Sequence, residues 1–345
     1  MARQAVVQAE AIEADRERDA ALRPRWLREV IGQKAVVNRL SVVLNACRKL
    51  KESLPHILFD GPPGLGKTTF ATVLPNEMGT SIQMTSGPAL AKPADLLPFL
   101  TNVGEGSVLF IDEIHRMPRV VEEFIYPAME DFRIDIVLGE GVNARTISIK
   151  LKRFTLIGAT TRSGMLSSPM RDRFKMHEHL EFYSVEELAQ IVRINSRKLQ
   201  TELTDDAALE LAKRSRGTPR IANARLWWAR SYATSEADGR ITLDVARAAL
   251  DMAEVDREGL DKQDRRYLEL LIGVHNGGPA GVESLAASMT LPVDTLSDEI
   301  EPYLLREQFI VRSPRGRVAT ARAYQVLGRP MKPEPPEERQ PSLFD

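Results

Sequence analysis

Short apolar runs separated by polar and turn residues organise the first half of the chain. Ile57-Leu58-Phe59, Val108-Leu109-Phe110-Ile111 and Phe154-Thr155-Leu156-Ile157 read as strands buried on both faces, since such strands show continuous rather than alternating hydrophobicity. Helical periodicity fills the intervals. From Leu22 to about Phe182 this alternation predicts a doubly wound α/β domain with a parallel sheet.

After Tyr183 the strand pattern stops. Ser184 and Glu187 form a capping box ahead of Leu188, Ile191 and Val192. Thr204 opens a second helix that ends near Gly217. Thr218-Pro219 starts a third, with proline at the first helical position, and Thr242 starts a fourth. Residues 183–256 thus predict a small all-helical domain. Residues 257–330 show three helical stretches followed by Phe309-Ile310-Val311 and Val318-Ala319-Thr320, the order of a winged helix. Residues 1–21 read as a mobile tail. Residues 331–345, rich in Pro and Glu, read as disordered.

At 345 residues the chain is long enough for two or three domains at roughly 100–200 residues each. It is 43% hydrophobic and 28% charged, an ordinary globular composition. No run approaches the roughly 20 apolar residues that span a bilayer, and no signal peptide is visible, so the expected location is cytoplasmic. The single cysteine, Cys47, excludes an internal disulfide framework and reads as a buried thiol. Lys and Arg number 47 against 48 Asp and Glu, a net charge of −1. Global charge therefore gives no sign of a nucleic-acid binder, and any DNA affinity must come from local patches or from assembly.

The chemistry concentrates after the first strand. Gly61-Pro-Pro-Gly-Leu-Gly66-Lys67-Thr68 satisfies GxxxxGK[ST] between a strand and a helix. Glycines let backbone N–H groups face a polyphosphate, Lys67 reaches the β and γ phosphates, and the Thr68 hydroxyl ligates Mg²⁺. The Val108–Ile111 strand ends in Asp112 and Glu113. Asp112 is placed to orient Mg²⁺, and Glu113 to polarise the attacking water. A third strand ends at Thr160-Thr161, where a hydroxyl can contact the γ-phosphate or that water. The predicted ligands are ATP and Mg²⁺.

Beyond these elements, eight segments in order carry a more specific resemblance: Gly61–Thr69, Thr85-Ser-Gly-Pro88, Phe110–Arg116, Tyr126–Phe132, Phe154–Arg162, Arg171-Asp-Arg-Phe174, Arg216–Asn223 and Arg312–Thr320. From about Leu22 to Gly328 the chain resembles the RuvB family of AAA+ ATPases, bacterial Holliday-junction branch-migration motors. The resemblance implies an AAA+ P-loop domain (22–182), a helical lid (183–256) and a DNA-binding winged helix (257–330). It implies nucleotide contacts from Leu22, Arg23, Gly64, Lys67, Thr68, Thr69, Glu130, Asp131, Phe132 and Tyr183. Ile31-Gly-Gln33 matches the segment that holds the adenine end. Arg173 matches an arginine finger reaching into a neighbouring subunit, and Arg220 the lid's sensor arginine. A planar guanidinium suits charge spreading over a transferred phosphoryl group. The implied partners are double-stranded DNA, Holliday junctions, RuvA, a hexameric ring of the chain itself and, as a further candidate, RuvC.

Two local features invite partners. Ile134–Leu138 and Thr146–Leu151 flank a loop containing Gly139, Gly141 and Asn143 and predict a β-hairpin. Ile147 and Ile149 either pack on the domain or form an exposed apolar face, and the resemblance makes them candidate RuvA contacts. Between Leu305 and Arg329 stand six arginines and one acid, Glu307. A tight turn at Pro314 and Gly316 would present Arg312, Arg315 and Arg317 together for phosphate contacts, which position a protein without reading sequence.

The chain also departs from the family. Lys175-Met176 stands where Gly-Ile is usual, and the adjacent Trp227-Trp228 interrupts an arginine- and leucine-rich helix. Adjacent tryptophans on a helix point in different directions, so one is expected buried and one exposed. Gln340-Pro-Ser-Leu-Phe344 resembles the peptide by which replication proteins bind the sliding clamp, against the plainer reading of an inert tail. Two rival functions remain: a clamp-loader-like remodeller, disfavoured by the winged helix, and a nucleotide-switched DNA-binding regulator, disfavoured by Glu113 and Arg173.

Overall fold

The computed structural model describes residues 21–138 and 145–330. They form two compact units, one extending to Met252 and the other beginning at Ala253. The N-terminal segment before residue 21, the hairpin tip with Gly139, Gly141 and Asn143, and the Gln340–Phe344 peptide lie outside the described residues.

In the first unit, helix α1 (Lys34–Leu50) precedes β1 (Ile57–Asp60), α2 (Lys67–Met78), β2 (Ile82–Ser86), α3 (Pro93–Asn102), β3 (Val108–Asp112) and α4 (Arg119–Glu130). Then follow β4 (Arg133–Leu138), β5 (Arg145–Lys150), β6 (Thr155–Thr160), α5 (Ser168–Asp172) and β7 (Met176–His179). Five strands make one parallel sheet in the order β2-β3-β6-β1-β7. The three apolar runs of the sequence are its three central strands. The two edges, β2 and β7, read Ile-Gln-Met-Thr-Ser and Met-His-Glu-His, and give no such signal because only inner strands are apolar throughout. On β7 the carboxylate of Glu178 is buried and bidentate with Arg39 of α1.

β4 and β5 pair antiparallel as predicted, with Ile134 opposite Ile149 and Ile136 opposite Ile147. Ile134 is fully buried beneath α4, whereas every residue of β5 is exposed.

Four helices complete this unit: α6 (Val185–Lys198), α7 (Asp205–Lys213), α8 (Pro219–Glu236) and α9 (Leu243–Met252). The Ser184–Glu187 capping box forms in both directions, and Thr204 caps α7. Trp228 is half-buried and its indole N–H donates to the Ala249 carbonyl at 2.6 Å, while Trp227 is 43% exposed. The tryptophan pair thus divides as the helix geometry requires.

The second unit contains α10 (Lys262–Gly273), α11 (Val282–Met289), a helix interrupted by a π turn (Leu296–Ile300) and continued as α12 (Glu301–Arg306), β8 (Ile310–Ser313), β9 (Gly316–Ala319) and α13 (Ala321–Val326). Tyr267, Leu268, Leu271, Leu285, Leu304 and Phe309 lead its core. Ala280 exchanges two backbone hydrogen bonds with Arg317, an isolated bridge beside the two-stranded hairpin.

The hairpin corrects one expectation. Arg312 and Arg317 are not in its loop: they face each other across the β8–β9 ladder. Ser313 pairs with Gly316, so the turn is two residues long and Arg315 alone of the three arginines sits at its tip, exposed. A two-residue turn fixes the register and draws the flanking arginines into the sheet.

Candidate functional site

The phosphate loop leaves β1 at Asp60 and enters α2 through Gly66, whose left-handed backbone (φ 105°) ends the loop. Lys67 is buried, and its ammonium donates to the Gly61 and Pro62 carbonyls at 2.7 and 2.8 Å. Burial pulls its pKa down to about 8, with Asp112, Asp60 and Glu113 working in the opposite direction. Thr68 follows at the start of the helix. Its half-exposed hydroxyl and the Asp112 carboxylate are hard oxygen donors of the kind Mg²⁺ prefers. One Asp112 oxygen accepts the Glu113 backbone N–H at 2.9 Å.

Glu113 adopts a left-handed backbone (φ 46°), and its carboxylate accepts from Arg116 at 2.9 Å. Gly87 packs under it. A β-carbon at Gly87 would come within 2.3 Å of the Glu113 carbonyl oxygen, so the Thr85-Ser-Gly-Pro88 segment needs glycine there. The Thr160 hydroxyl is buried, lies 2.9 Å from His115 Nδ1 and accepts the Arg162 backbone N–H at 3.0 Å. That hydroxyl is engaged inside the fold, with Thr161 beyond it.

The lid closes over this loop. The Arg220 backbone N–H donates to the Gly64 carbonyl at 3.4 Å, and a β-carbon on Gly64 would stand 3.0 Å from Arg220 Cβ. Beside the loop, a cleft of about 320 Å³ brings together Leu22, Arg23, Gly66, Thr69 and Tyr183 with Ile191 of the lid. The Tyr183 hydroxyl donates to the Leu65 carbonyl at 3.2 Å, and burial pushes its pKa up to about 12. Ile31 lines the same cleft, and Gln33 of that segment is engaged with backbone. Its side-chain amide donates to the Glu181 carbonyl and accepts the Glu181 N–H, fastening the strand-to-lid hinge.

Glu130, Asp131 and Phe132 are not in that cleft, which corrects their grouping with Tyr183. They line a separate cleft of about 970 Å³ with Arg173 and Lys175. The sheet separates the two. Arg173 precedes β7, whose first residue Met176 is level with Ile57, the first residue of β1. The Phe132 ring lies tilted, 6.4 Å between centroids, beside His56, which also precedes β1. The phosphate loop follows the last residue of β1. At about 3.3 Å per residue, roughly 10 Å of strand lies between the two ends.

Arg173 is itself well held. Its Nη1 donates to the Pro169 carbonyl at 2.7 Å, its Nη2 lies 3.1 Å from a Glu130 oxygen, and the guanidinium stacks 4.0 Å over the Tyr126 ring. Its Nε is buried without a hydrogen-bond partner. Lys175 is exposed and its backbone has no positive φ, so replacement of the family's glycine needs no special conformation.

His56 fixes the same end of the strands. Its Nδ1 accepts the Leu156 backbone N–H at 2.8 Å and its Nε2 lies 3.0 Å from the Met129 carbonyl, which requires the neutral ring protonated on Nε2. Burial lowers its pKa accordingly. Sequence reading assigned no role to His56, Gly87 or His115, because each acts on a group brought close only by folding.

Two further sets of candidates remain. Ile147 and Ile149 are 47% and 36% exposed, which excludes the reading in which they pack on the domain. In the second unit Arg312 and Arg317 both bind the buried Glu301. Among the described residues no helix is long and apolar enough to cross a membrane.

Three family models cover nearly the whole chain: the Holliday junction DNA helicase RuvB P-loop domain at 22–180, the RuvB AAA lid domain at 183–256 and the RuvB C-terminal winged helix domain at 257–328. The chain is 56% identical over 317 residues to the Holliday junction branch migration complex subunit RuvB of Rhodopirellula baltica, spanning 92% of this chain and 87% of that protein. Among solved structures it is similar to the Thermotoga maritima RuvB Holliday junction branch migration motor, with 44% identity, a TM-score of 0.83 and coverage of 90% of this chain and 100% of that one. A single-substitution variant of the Thermotoga protein gives 45% identity, a TM-score of 0.84 and coverage of 90% and 99%.

Proposed function

The chain belongs to the RuvB family, and from that membership we propose how its residues divide the work of a DNA motor. Its activity is ATP hydrolysis coupled to branch migration of Holliday junctions. Leu22, Arg23 and Tyr183 hold the base end of ATP in the smaller cleft. Gly64, Lys67, Thr68 and Thr69 hold the phosphates, with the loop amides and the α2 N-terminus facing them. Lys67 exchanges the Gly61 and Pro62 carbonyls for phosphate oxygens, which favours its charged form. Glu113 orients and deprotonates the attacking water. Thr68 and Asp112 would hold Mg²⁺, which neutralises charge developing on the phosphates when bound.

One observation carries the assembly: the phosphate loop and Arg173 lie at opposite ends of the strands of one parallel sheet. Arg173 therefore serves the site of another copy. Glu130, Asp131 and Phe132 go with it to that neighbour's nucleotide rather than to their own. We read the ring as a hexamer. Arg220, seated on Gly64, transmits the state of the phosphates to the lid. Ile147 and Ile149 supply the apolar docking face for RuvA, and Arg312, Arg315 and Arg317 the basic surface for DNA backbone. The setting is the cytoplasm, with the DNA on which the motor acts.

The test mixes the protein with a synthetic four-way junction, RuvA and ATP, and compares it with Glu113→Gln. Junction dissociation by the wild type alone is the expected result. Opening of a sliding clamp, or DNA binding without turnover in the wild type, would overturn it.

A further inference from the structure

The winged-helix unit buries one carboxylate completely, and both strands of its hairpin reach for it. Glu301, at the start of α12, has no exposed surface. Its Oε1 accepts from Arg317 Nε at 2.8 Å and from the Tyr267 hydroxyl at 3.0 Å. Its Oε2 accepts from Arg312 Nη2 at 2.6 Å and from Arg317 Nη2 at 3.1 Å. These four donations fill the acceptor positions of an ionised carboxylate.

The arrangement costs the fold something that packing does not require. Taking a carboxylate out of water is expensive, and an apolar side chain of similar size commonly fills such a place with equal or better stability. The arginines make matters harder, because they are directly opposed across the ladder, where like charges repel. Glu301 offsets that repulsion and fixes both guanidinium groups at once. Arg317 is gripped through two nitrogens and is only 17% exposed, whereas Arg312 is gripped through one and remains 51% exposed. The trio keeps a net positive charge, and both arginines retain unspent N–H donors at a fixed spacing. Paired planar forks held this way suit the oxygens of a phosphodiester.

We infer that Glu301 is the positioning residue of a two-arginine fork, Arg312 with Arg317, that grips a sugar-phosphate backbone. The inference rests on the reading of the hairpin as the DNA-contacting surface and specifies what orders that surface. It makes a prediction opposite to simple electrostatics. Removing the negative charge of Glu301 should tighten binding if charge alone matters. It should weaken binding if the carboxylate holds the arginines in place.

The experiment measures duplex affinity of the full-length protein across a salt series for wild type, Glu301→Gln, Arg312→Gln and the double variant, with thermal melting of each. The expected result is about tenfold weaker binding by Glu301→Gln at a temperature where melting shows it folded, with a smaller loss in the Arg312→Gln background, where only Arg317 remains to be positioned. Binding by Glu301→Gln as tight as wild type or tighter, while Arg312→Gln is weakened, overturns the inference and leaves the DNA-contacting surface standing. Equal binding by every variant overturns both. Should Glu301→Gln melt early, the wild type still decides through the arginine Nε–H resonances of ¹⁵N-arginine-labelled protein. Arg317 Nε–H must stay protected from solvent exchange when duplex saturates the protein. Its release on DNA binding refutes the positioning role.

Discussion

Arg220 of the lid rests directly on Gly64 of the phosphate loop, close enough that a single added methyl group would strike it. Gly64 has a left-handed backbone (φ +76°), and its β-carbon would stand 2.7 Å from Thr218 Cγ2 and 3.0 Å from Arg220 Cβ. Gly64→Ala therefore strains the loop and lifts the lid together. A non-glycine residue in this region costs about 1–2 kcal/mol. ATP affinity should fall about tenfold, with lid helix α8 becoming more sensitive to protease. Unchanged nucleotide titration would show that lid and loop do not communicate here.

Gly87 acts on the other side of the site. A β-carbon there meets the Glu113 carbonyl at 2.3 Å, a clash with backbone that cannot rotate away. Gly87→Ala should displace Glu113 and lower kcat by about a hundredfold, while the affinity for ATP stays near normal because Lys67 and Thr68 are untouched. Equal losses in both quantities would point to general unfolding instead.

The placement of Arg173 at the opposite end of the strands from Lys67 predicts complementation between two dead proteins. Glu113→Gln and Arg173→Ala should each be inactive alone. Random mixing places an intact Glu113 beside an intact Arg173 at about a quarter of the contacts, and turnover should recover in proportion. A mixture as inactive as its components would put Arg173 in its own chain's site.

The exposed isoleucines of β5 separate docking from catalysis. Replacing Ile147 and Ile149 by Asp should abolish binding of RuvA while shifting stability by less than about 0.5 kcal/mol, as expected for surface positions. Retained binding in a pull-down or titration would move the docking face elsewhere.

His56 gives the fold a pH dependence of known sign. Its pKa is lowered by burial from a starting value of 6.5, so the unfolded chain takes up the proton first. Its contribution is fully present above about pH 6.5 and is lost as pH falls through the folded-state value. Denaturant midpoints should drop between pH 7 and pH 5, and His56→Gln should flatten that drop. An identical slope in the variant would assign the effect to other groups.

The sequence made legible whatever depends on local spacing. The central strands, the phosphate loop, Asp112-Glu113 and the capped lid helices all stand where periodicity and motif place them. It did not reveal which end of the strands a residue occupies. Glu130, Asp131 and Phe132 were grouped with Tyr183, and only the register of β1 against β7 puts them with Arg173. Charge patterning misled in the hairpin, because Glu301 lies outside the arginine-rich stretch and contacts it through folding. The edge strands were missed because their polar residues face solvent or, like Glu178, find a buried partner.

The polarity of the central sheet also determines what kind of assembly can work. In the proposed assembly, one end of the strands receives a nucleotide and the other supplies the group that completes it. A twofold pair can complete its sites only if one surface carries both features, and here they stand at opposite ends of the strands. Only head-to-tail succession serves every copy, and a succession that stops short always leaves one terminal site without its arginine. If Arg173 acts in a neighbour's site, closure is a condition of full turnover, and filling the last place in the circle decides whether every site works.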